Sequence, residues 1–290
     1  MHDGTVDGFS YGLVTPLVAY LMACLGGALG LRCTTRALVA RSWRPGWLAL
    51  ASAAIGSGIW TMHFVAMTGF SVEGAPIHYD RPTTYASLVV AIVMVGVGIF
   101  IVGYKGANGS ALFTGGTITG LGVASMHYLG MAGMQFDGVF EYNVLTVSAS
   151  VVIAVVAATA ALWAAGQVRG LLWSVGASLV MGLAVSGMHY MGMAALSVHL
   201  HDAGGDPVAG EAPAALLAPM LIGPLAFLLL AGVVVMFDPL MVMSRADWTP
   251  VERKPGVPAR ELVPYSAGRP DPARIPVRRA AHPSRTPQNR

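Results

Sequence analysis

The chain has 290 residues, of which 55% are hydrophobic and 11% are charged, and its formal net charge is +3. Soluble globular domains carry about 25% charged residues, so this composition excludes an ordinary soluble protein. We attribute the small basic excess to membrane topology and to contact with lipid headgroups, and we expect no nucleic-acid partner.

Seven apolar runs are each long enough to cross a bilayer as a helix, which takes about 20 residues. Helices are expected because lipid offers the backbone no hydrogen-bonding partner outside the segment. The sequence therefore predicts an all-α polytopic membrane protein with seven transmembrane helices. In chain order the predicted spans are 11–31, 46–68, 83–104, 112–134, 144–166, 171–196 and 214–237.

Basic residues collect in alternate loops, which predicts the orientation of the chain. Of the 17 Lys and Arg residues, 16 fall on one side of the predicted spans, and only Arg81 falls on the other. We therefore expect a multi-pass membrane protein with its N-terminus outside and its C-terminus in the cytoplasm. The basic residues of the three predicted cytoplasmic loops are Arg32, Arg36, Arg41, Arg44, Lys105 and Arg169.

Residues 1–237 form the predicted membrane domain, and the composition changes in residues 238–290. That segment is rich in Pro and Arg and shows little apolar periodicity, so we predict a disordered cytoplasmic tail. We see no catalytic domain in it and do not expect an enzyme, although the sequence leaves a redox role open. Cys24 in the first span and Cys33 in the first loop are interpreted as packing or surface thiols.

A motif of Met-His-aromatic, with a second Met four residues after the His, occurs three times. The stretches are TMHFVAM at 61–67, SMHYLGM at 125–131 and GMHYMGM at 187–193. Intervals of 64 and 62 residues separate the histidines, which corresponds to two spans and two loops. The sequence thus predicts three helical-hairpin repeats, at about 11–68, 83–134 and 144–196, and one extra helix at 214–237.

The three motif spans run in the same direction, so their histidines are expected in one layer near the outer membrane boundary. The following Met lies at i+4, on the same helix face as the His and one turn further out. Imidazole suits copper, zinc, iron and nickel, and a thioether favours Cu(I), so copper is the first hypothesis. The candidate metal ligands are Met62, His63, Met67, Met126, His127, Met131, Met188, His189 and Met193.

Other interpretations of these residues stay open. Three His alone could hold zinc, and two of them could serve as axial haem ligands, which we favour less than copper. The aromatic residues Trp60, Phe64, Tyr128 and Tyr190 could form an interfacial belt around histidines that only pack.

Two further features have simple structural explanations. Asp80 and Asn143, each just before a span, are expected to cap the helices that follow. His199 and His201 could capture a metal with Asp202, but we favour solvated loop histidines.

The three M-H-[YF]-x-[GA]-M motifs at the outer ends of alternate spans resemble the MHYT family of bacterial integral-membrane sensor domains. The resemblance covers about residues 10–235 and departs from the name-giving Thr, which is replaced by Val65, Leu129 and Met191. It implies a metal, copper, bound through the Met and His residues of the motifs, and the sensing of oxygen, carbon monoxide or nitric oxide.

These observations lead to one expected function and two alternatives. We expect a membrane sensor that binds copper in its outer layer and acts on an unknown cytoplasmic signalling partner, with a diatomic gas as a further ligand. The alternatives are a copper-handling membrane protein without a signalling role and a haem-binding membrane oxidoreductase.

Overall fold

The computed structural model describes residues 2–8, 10–39, 43–73, 75–167, 171–200 and 213–237. Seven helices account for most of this part of the chain. They are α1 (Val14–Val39), α2 (Arg44–Met67), α3 (Arg81–Lys105), α4 (Gly109–Ala132), α5 (Val144–Gln167), α6 (Leu171–Ala194) and α7 (Pro213–Met236). The predicted tail at 238–290 lies outside the described residues.

Six of these helices are long and apolar enough to cross a membrane by length and composition, and α4 is not among them. The six Gly and three Thr of α4 lower its hydropathy although it is 24 residues long. The all-helical architecture is thus confirmed, and the membrane spans supported by composition number six. The fourth predicted span, 112–134, corresponds to α4, and its crossing of the membrane remains a prediction.

The first six helices form a closed ring. Each packs against the next in chain order, and α6 packs against α1, so the third hairpin meets the first. Helix α7 lies outside this ring, against α2 and α1. Close approach depends on glycine, since a Cβ on Gly26 would lie 2.7 Å from the Cα of Gly58 in the neighbouring helix.

Seven short strands lie at one end of the ring, which we call the strand face. They are β1 (His2–Asp3), β2 (Val6–Asp7), β3 (Ser71–Val72), β4 (His78–Tyr79), β5 (Met134–Gln135), β6 (Gly138–Tyr142) and β7 (Leu196–Leu200). The antiparallel pairs β2–β3, β4–β5 and β6–β7 each join the two ends of one helical hairpin, and β1 adds to β7. Each repeat is therefore a strand–helix–helix–strand unit, whose strands the sequence analysis did not predict.

Side-chain caps mark the N-terminal ends of α3 and α5. The Asp80 carboxylate accepts a hydrogen bond of 2.8 Å from the Thr83 backbone N–H, and Asn143 caps α5 in the same way. Hydrogen bonds from the side chain and backbone of Thr83 hold the pKa of Asp80 below its usual value. The predicted capping role of both residues is confirmed.

One boundary was predicted wrongly. Helix α1 continues to Val39 instead of ending near residue 31, so Arg32, Cys33 and Arg36 lie in a helix and not in the first loop. The Arg36 guanidinium lies 5.5 Å from the centre of the Trp47 ring, a contact that supports the added turns. Cys33 is fully buried, so it packs in the core and is not a surface thiol.

Candidate metal centre

His63 of α2, His127 of α4 and His189 of α6 meet on the axis of the ring, and we call them the histidine group. Their ring centroids are 5.0, 5.0 and 5.1 Å apart, and the side chains are 1–2% exposed. The predicted layer of three histidines is therefore present. Within the part of the chain that the structure describes, this is the one set of three or more potential ligands close enough to share a metal ion.

All three rings direct Nδ1 toward the same point. The Nδ1 atoms of His63 and His189 are 3.0 Å apart, those of His63 and His127 are 3.2 Å apart, and those of His127 and His189 are 3.3 Å apart. The three nitrogens thus form a nearly equilateral triangle in which each Nδ1 is within hydrogen-bonding distance of both others.

Hydrogen bonds among the rings cannot satisfy this triangle. The Nδ1 atom of a neutral imidazole either carries a proton and donates or carries a lone pair and accepts, but it cannot do both. Three such atoms therefore cannot close a ring of hydrogen bonds, and one pair always sets donor against donor or acceptor against acceptor. A cation at the centre would take all three lone pairs at once.

The spacing fits a metal ion of first-row size. Nitrogen ligands about 2.0–2.1 Å from a zinc-like ion are about 3.3–3.6 Å from one another at tetrahedral to trigonal angles. The observed separations of 3.0–3.3 Å lie just below this range or at its lower limit, so an outward shift of the rings by a few tenths of an ångström would reach it. The residues present therefore fit a metal with three nitrogen ligands.

Metal ligation through Nδ1 leaves the proton on Nε2, and the neighbouring helices leave little space there. Nε2 of His63 and Nε2 of His127 are buried and have no hydrogen-bond partner among the described residues. A Cβ on Gly130 would lie 2.7 Å from His63 Nε2, and a Cβ on Gly192 would lie 2.9 Å from His127 Cδ2. Each of these rings is thus covered by a glycine of the next motif helix.

The same geometry does not suit a haem. Two axial histidines must lie on opposite sides of the macrocycle, whereas these imidazoles contact one another directly at centroid distances near 5 Å. No gap of macrocycle size separates the rings.

The methionines at i+4 lie one turn from the histidines toward the strand face. Met67 and Met131 are 1% exposed, and Met193 is half-buried. The methionines that precede the histidines, Met62, Met126 and Met188, are at most 1% exposed. All nine predicted ligands therefore lie in or against the protein core, and their role in metal binding remains a prediction.

One cavity connects the histidine group with the strand face, and we call it the outer cavity. It measures about 350 Å³, and its lining includes His189, Met67, Met193 and Ala66, with Gly8 at the strand face. Ala66 stands in α2 where the other motif helices have Gly130 and Gly192. The three motifs are thus not equivalent, because His189 borders an open space while His63 and His127 do not border it.

Two of the four aromatic residues considered for an interfacial belt, Trp60 and Phe64, lie in the core instead. Trp60 and Phe64 are fully buried, and Trp60 Nε1 lies 3.0 Å from Ser87 Oγ and 3.2 Å from the Thr84 carbonyl oxygen. Tyr128 accepts or donates a 2.6 Å hydrogen bond with Ser150 Oγ on α5. Trp60 thus joins α2 to α3, and Tyr128 joins α4 to α5.

The second predicted histidine cluster is only partly described. His199 lies in β7, and its Nε2 is 3.0 Å from Oε2 of Glu141 in β6. His201 and Asp202 lie outside the described residues. His199 is thus a strand residue paired with a carboxylate, and not the solvated loop histidine that the sequence suggested.

Gly130 and Gly192, each three residues after a motif histidine, were not among the site residues predicted from the sequence. In the structure Gly130 and Gly192 are the residues that cover the histidine rings. The signal was their fixed place three residues after a motif histidine, combined with the closed ring that brings each glycine over the preceding histidine.

A profile of a known protein family matches the regions of the first two motifs. The profile described as "MHYT: Bacterial signalling protein N terminal repeat" matches residues 56–115 and 120–178. No solved structure matches the chain significantly.

Curated relatives share about two thirds of the chain. The bifunctional diguanylate cyclase/cyclic di-GMP phosphodiesterase MucR of Pseudomonas aeruginosa is 37% identical over 192 residues, which cover 64% of this chain and 28% of MucR. The cyclic di-GMP phosphodiesterase NbdA of the same organism is 33% identical over 205 residues, or 67% of this chain and 26% of NbdA. The signaling protein YkoW of Bacillus subtilis is 28% identical over 198 residues, or 66% of this chain and 24% of YkoW. The matched region is about a quarter of each relative, and these matches give no sign of a catalytic domain in this chain.

Proposed function

We propose that the chain is a membrane sensor whose histidine group binds a copper ion, and its match to the MHYT repeat of bacterial signalling proteins supports this. The observation that carries the proposal is the triangle of Nδ1 atoms 3.0–3.3 Å apart, which hydrogen bonds cannot satisfy. A buried polar group without a partner costs about 1–3 kcal/mol, so a metal ion at the centre would stabilise the three histidines.

Copper is preferred over zinc because of the thioethers around the histidines. Met67 and Met193 line the same cavity as His189, and soft thioether ligands select Cu(I) among the first-row ions. Zinc sites with three histidines have no need of methionine. A copper ion held by three nitrogens keeps a position open, which a thioether or a diatomic gas would occupy.

The proposed sensor faces outward from the bacterial inner membrane. Arg32, Arg36, Arg44 and Lys105 all lie on the helix ends remote from the strand face, and basic residues mark the cytoplasmic side. The strand face, with the histidine group one turn or so below it, is then the outer side, with the N-terminus outside and the C-terminus in the cytoplasm.

Signalling requires that the bound ligand favour one packing of the ring over another. A ligand shifts such an equilibrium only by the difference between its affinities for the two states. A metal that draws three Nδ1 atoms to one centre acts on α2, α4 and α6 together. The output would reach an unknown cytoplasmic signalling partner, and the activities of MucR and NbdA suggest cyclic di-GMP signalling as its context.

The first test is metal analysis of detergent-purified protein after copper loading under reducing conditions, with a visible spectrum. The comparison uses a variant in which His63, His127 and His189 are all changed to Ala, with His199→Ala as the matched control. We expect near-stoichiometric copper in the parent and in the control, and none in the triple variant. Equal copper in parent and triple variant would rule out the site.

A copper-handling protein without a signalling role is the second candidate, favoured by the outer cavity that leads from the strand face to His189. The two candidates differ in the metal exchange rate, which must be fast for a protein that passes copper on. Transfer of bound copper to a soluble chelator within seconds would favour handling, whereas retention over hours would favour sensing.

A further inference from the structure

A second cavity lies inside the ring on the other side of the histidine group, and we call it the axial cavity. Its volume is about 40 Å³, on a measure by which one water needs ~10–15 Å³. All six ring helices contribute to its wall. One lining residue from each is Thr34, Ile59, Ile99, Val123, Ala158 and Val185.

The motif helices place this cavity directly beneath the histidine group. Ile59, Val123 and Val185 each precede a motif histidine by four residues, and all three line the cavity. Ile55, Thr119 and Met181 precede the same histidines by eight residues and line it too. Residues at these spacings share one helix face at intervals of about one turn, so the cavity continues the axis of the histidine group away from the strand face.

The lining selects the kind of molecule that can enter. It is aliphatic except for two methionines and two threonines, and the Thr34 hydroxyl already donates to the Gly30 carbonyl oxygen at 2.8 Å. The Thr119 hydroxyl has no partner among the described residues and is one donor, too few for a water that needs two to four polar partners. An apolar cavity of this kind stays dry and accepts small uncharged molecules.

Helix α5 creates the space through alanine. Helices α3 and α5 correspond with an offset of 63 residues, which pairs the caps Asp80 and Asn143. With this offset Val95 corresponds to Ala158, and Val102 to Ala165. All four residues are buried, and both alanines line the axial cavity. The third repeat therefore lacks side-chain volume that the second repeat has at matching positions.

We propose that the axial cavity binds one small uncharged apolar molecule of the size of dioxygen, carbon monoxide or nitric oxide. Such molecules dissolve better in hydrocarbon than in water, and the bilayer around the ring supplies them. Met188, the residue before His189, lines the cavity on the side nearest the histidine group. The proposed binding is argued from the cavity alone. That the cavity stores the gas that reacts with the bound metal rests on the proposed function.

Xenon is the probe, since it is uncharged, of similar size and visible by 129Xe NMR and in xenon-pressurised crystals. The parent is compared with Ala158→Val/Ala165→Val, which restores the volume found in α3. The matched control is Ala160→Val, an exposed alanine on the same helix. We expect one saturable xenon site in the parent and control, and at least a tenfold weaker site in the double variant.

Two results would overturn the inference: no saturable xenon site in the parent, or an unchanged one in a folded double variant. If the double variant does not fold, Val95→Ala provides the opposite change, because enlarging the cavity should tighten xenon binding. Unchanged xenon affinity in Val95→Ala would likewise overturn it.

Copper content separates this inference from the proposed function. Xenon binding in a protein that takes up no copper would support the axial cavity and reject the metal centre. Copper uptake without a xenon site would do the reverse. With both present, Ala158→Val/Ala165→Val should keep the parental copper content and slow the reaction of the bound copper with carbon monoxide.

Discussion

The Nδ1 atoms of His63 and His189 lie 3.0 Å apart although the residues are separated by 126 positions in the chain. The closed ring makes this contact, because α6 packs back on α1 and brings the third motif helix to the first. Without that closure two histidines could still meet, but the triangle would lack its third corner.

Each histidine of the group should be individually necessary for metal binding. Replacing any one of the three by Ala removes one of three nitrogens and opens a void in the core. Because loss of a residue that merely orients a ligand already costs about 10–100-fold in metal affinity, we expect roughly 100-fold or more for a ligand itself. Competition with a Cu(I) chelator measures this affinity, and His199→Ala should match the parent. Parental affinity in any single variant would remove that histidine from the ligand set.

Gly130→Ala and Gly192→Ala should destabilise the protein by about 1–3 kcal/mol each, since the added methyl group overpacks a buried ring. The rings would also turn, so copper affinity should fall with stability. Thermal unfolding in detergent, followed with and without copper, measures both effects.

Gly187→Ala is the matched control, because a Cβ there meets no atom within 4 Å although the residue lies two positions from His189. This variant should unfold at or above the parental temperature. An equal loss in all three variants would mean that the glycines serve the helices and not the histidine rings.

The outer cavity should govern how fast copper reaches the histidine group. Ala194 is exposed and lines this cavity, so Ala194→Phe narrows the passage to His189. We expect severalfold slower copper uptake in stopped-flow measurements, with an unchanged copper content at equilibrium.

Ala132→Phe controls for bulk at the same place in another repeat. Ala132 follows His127 by five residues, as Ala194 follows His189, but it lines a separate cavity that does not include a motif histidine. Uptake in this variant should match the parent. Equal slowing in both would argue against a single passage at the third repeat.

The Asp80 cap should contribute stability that depends on pH. Because its pKa is lower in the folded chain, the contribution is complete above the unfolded value of about 3.9 and is lost as the pH falls through the folded value. Asp80→Ala should unfold at a lower temperature than the parent at pH 7, and the gap should narrow toward pH 3. Asp80→Asn keeps the cap without a charge, so its stability difference from Asp80→Ala should stay constant between pH 7 and pH 3.

The sequence was sufficient for the repeat and for the centre of the site. Length and hydropathy locate the helices, and the fixed intervals between His63, His127 and His189 place them in one layer. The capping residues Asp80 and Asn143 could also be predicted, because a side-chain cap is a local interaction between neighbours in the chain.

Other features depend on contacts that local patterns do not report. Two-residue strands such as β3 have no alternation to detect, and they exist because a partner strand lies across the hairpin. The extra turns of α1 are supported by the contact of Arg36 with Trp47, and this contact forms only when both helices are in place. The direction of each histidine ring could not be predicted, since the positions of the histidines in the sequence do not tell which ring nitrogen points to the axis.

The paired strands also bear on the order in which the repeats follow one another. Each hairpin is closed at the strand face by its own pair, and short connections on that face join the first unit to the second and the second to the third. Between the third and the first the N-terminal segment takes this place, since β1 pairs with β7 and β2 begins the first unit. The third unit is therefore tied to the first by strand pairing at the place where chain connections tie the other units, so the ring of helices closes although the chain itself does not.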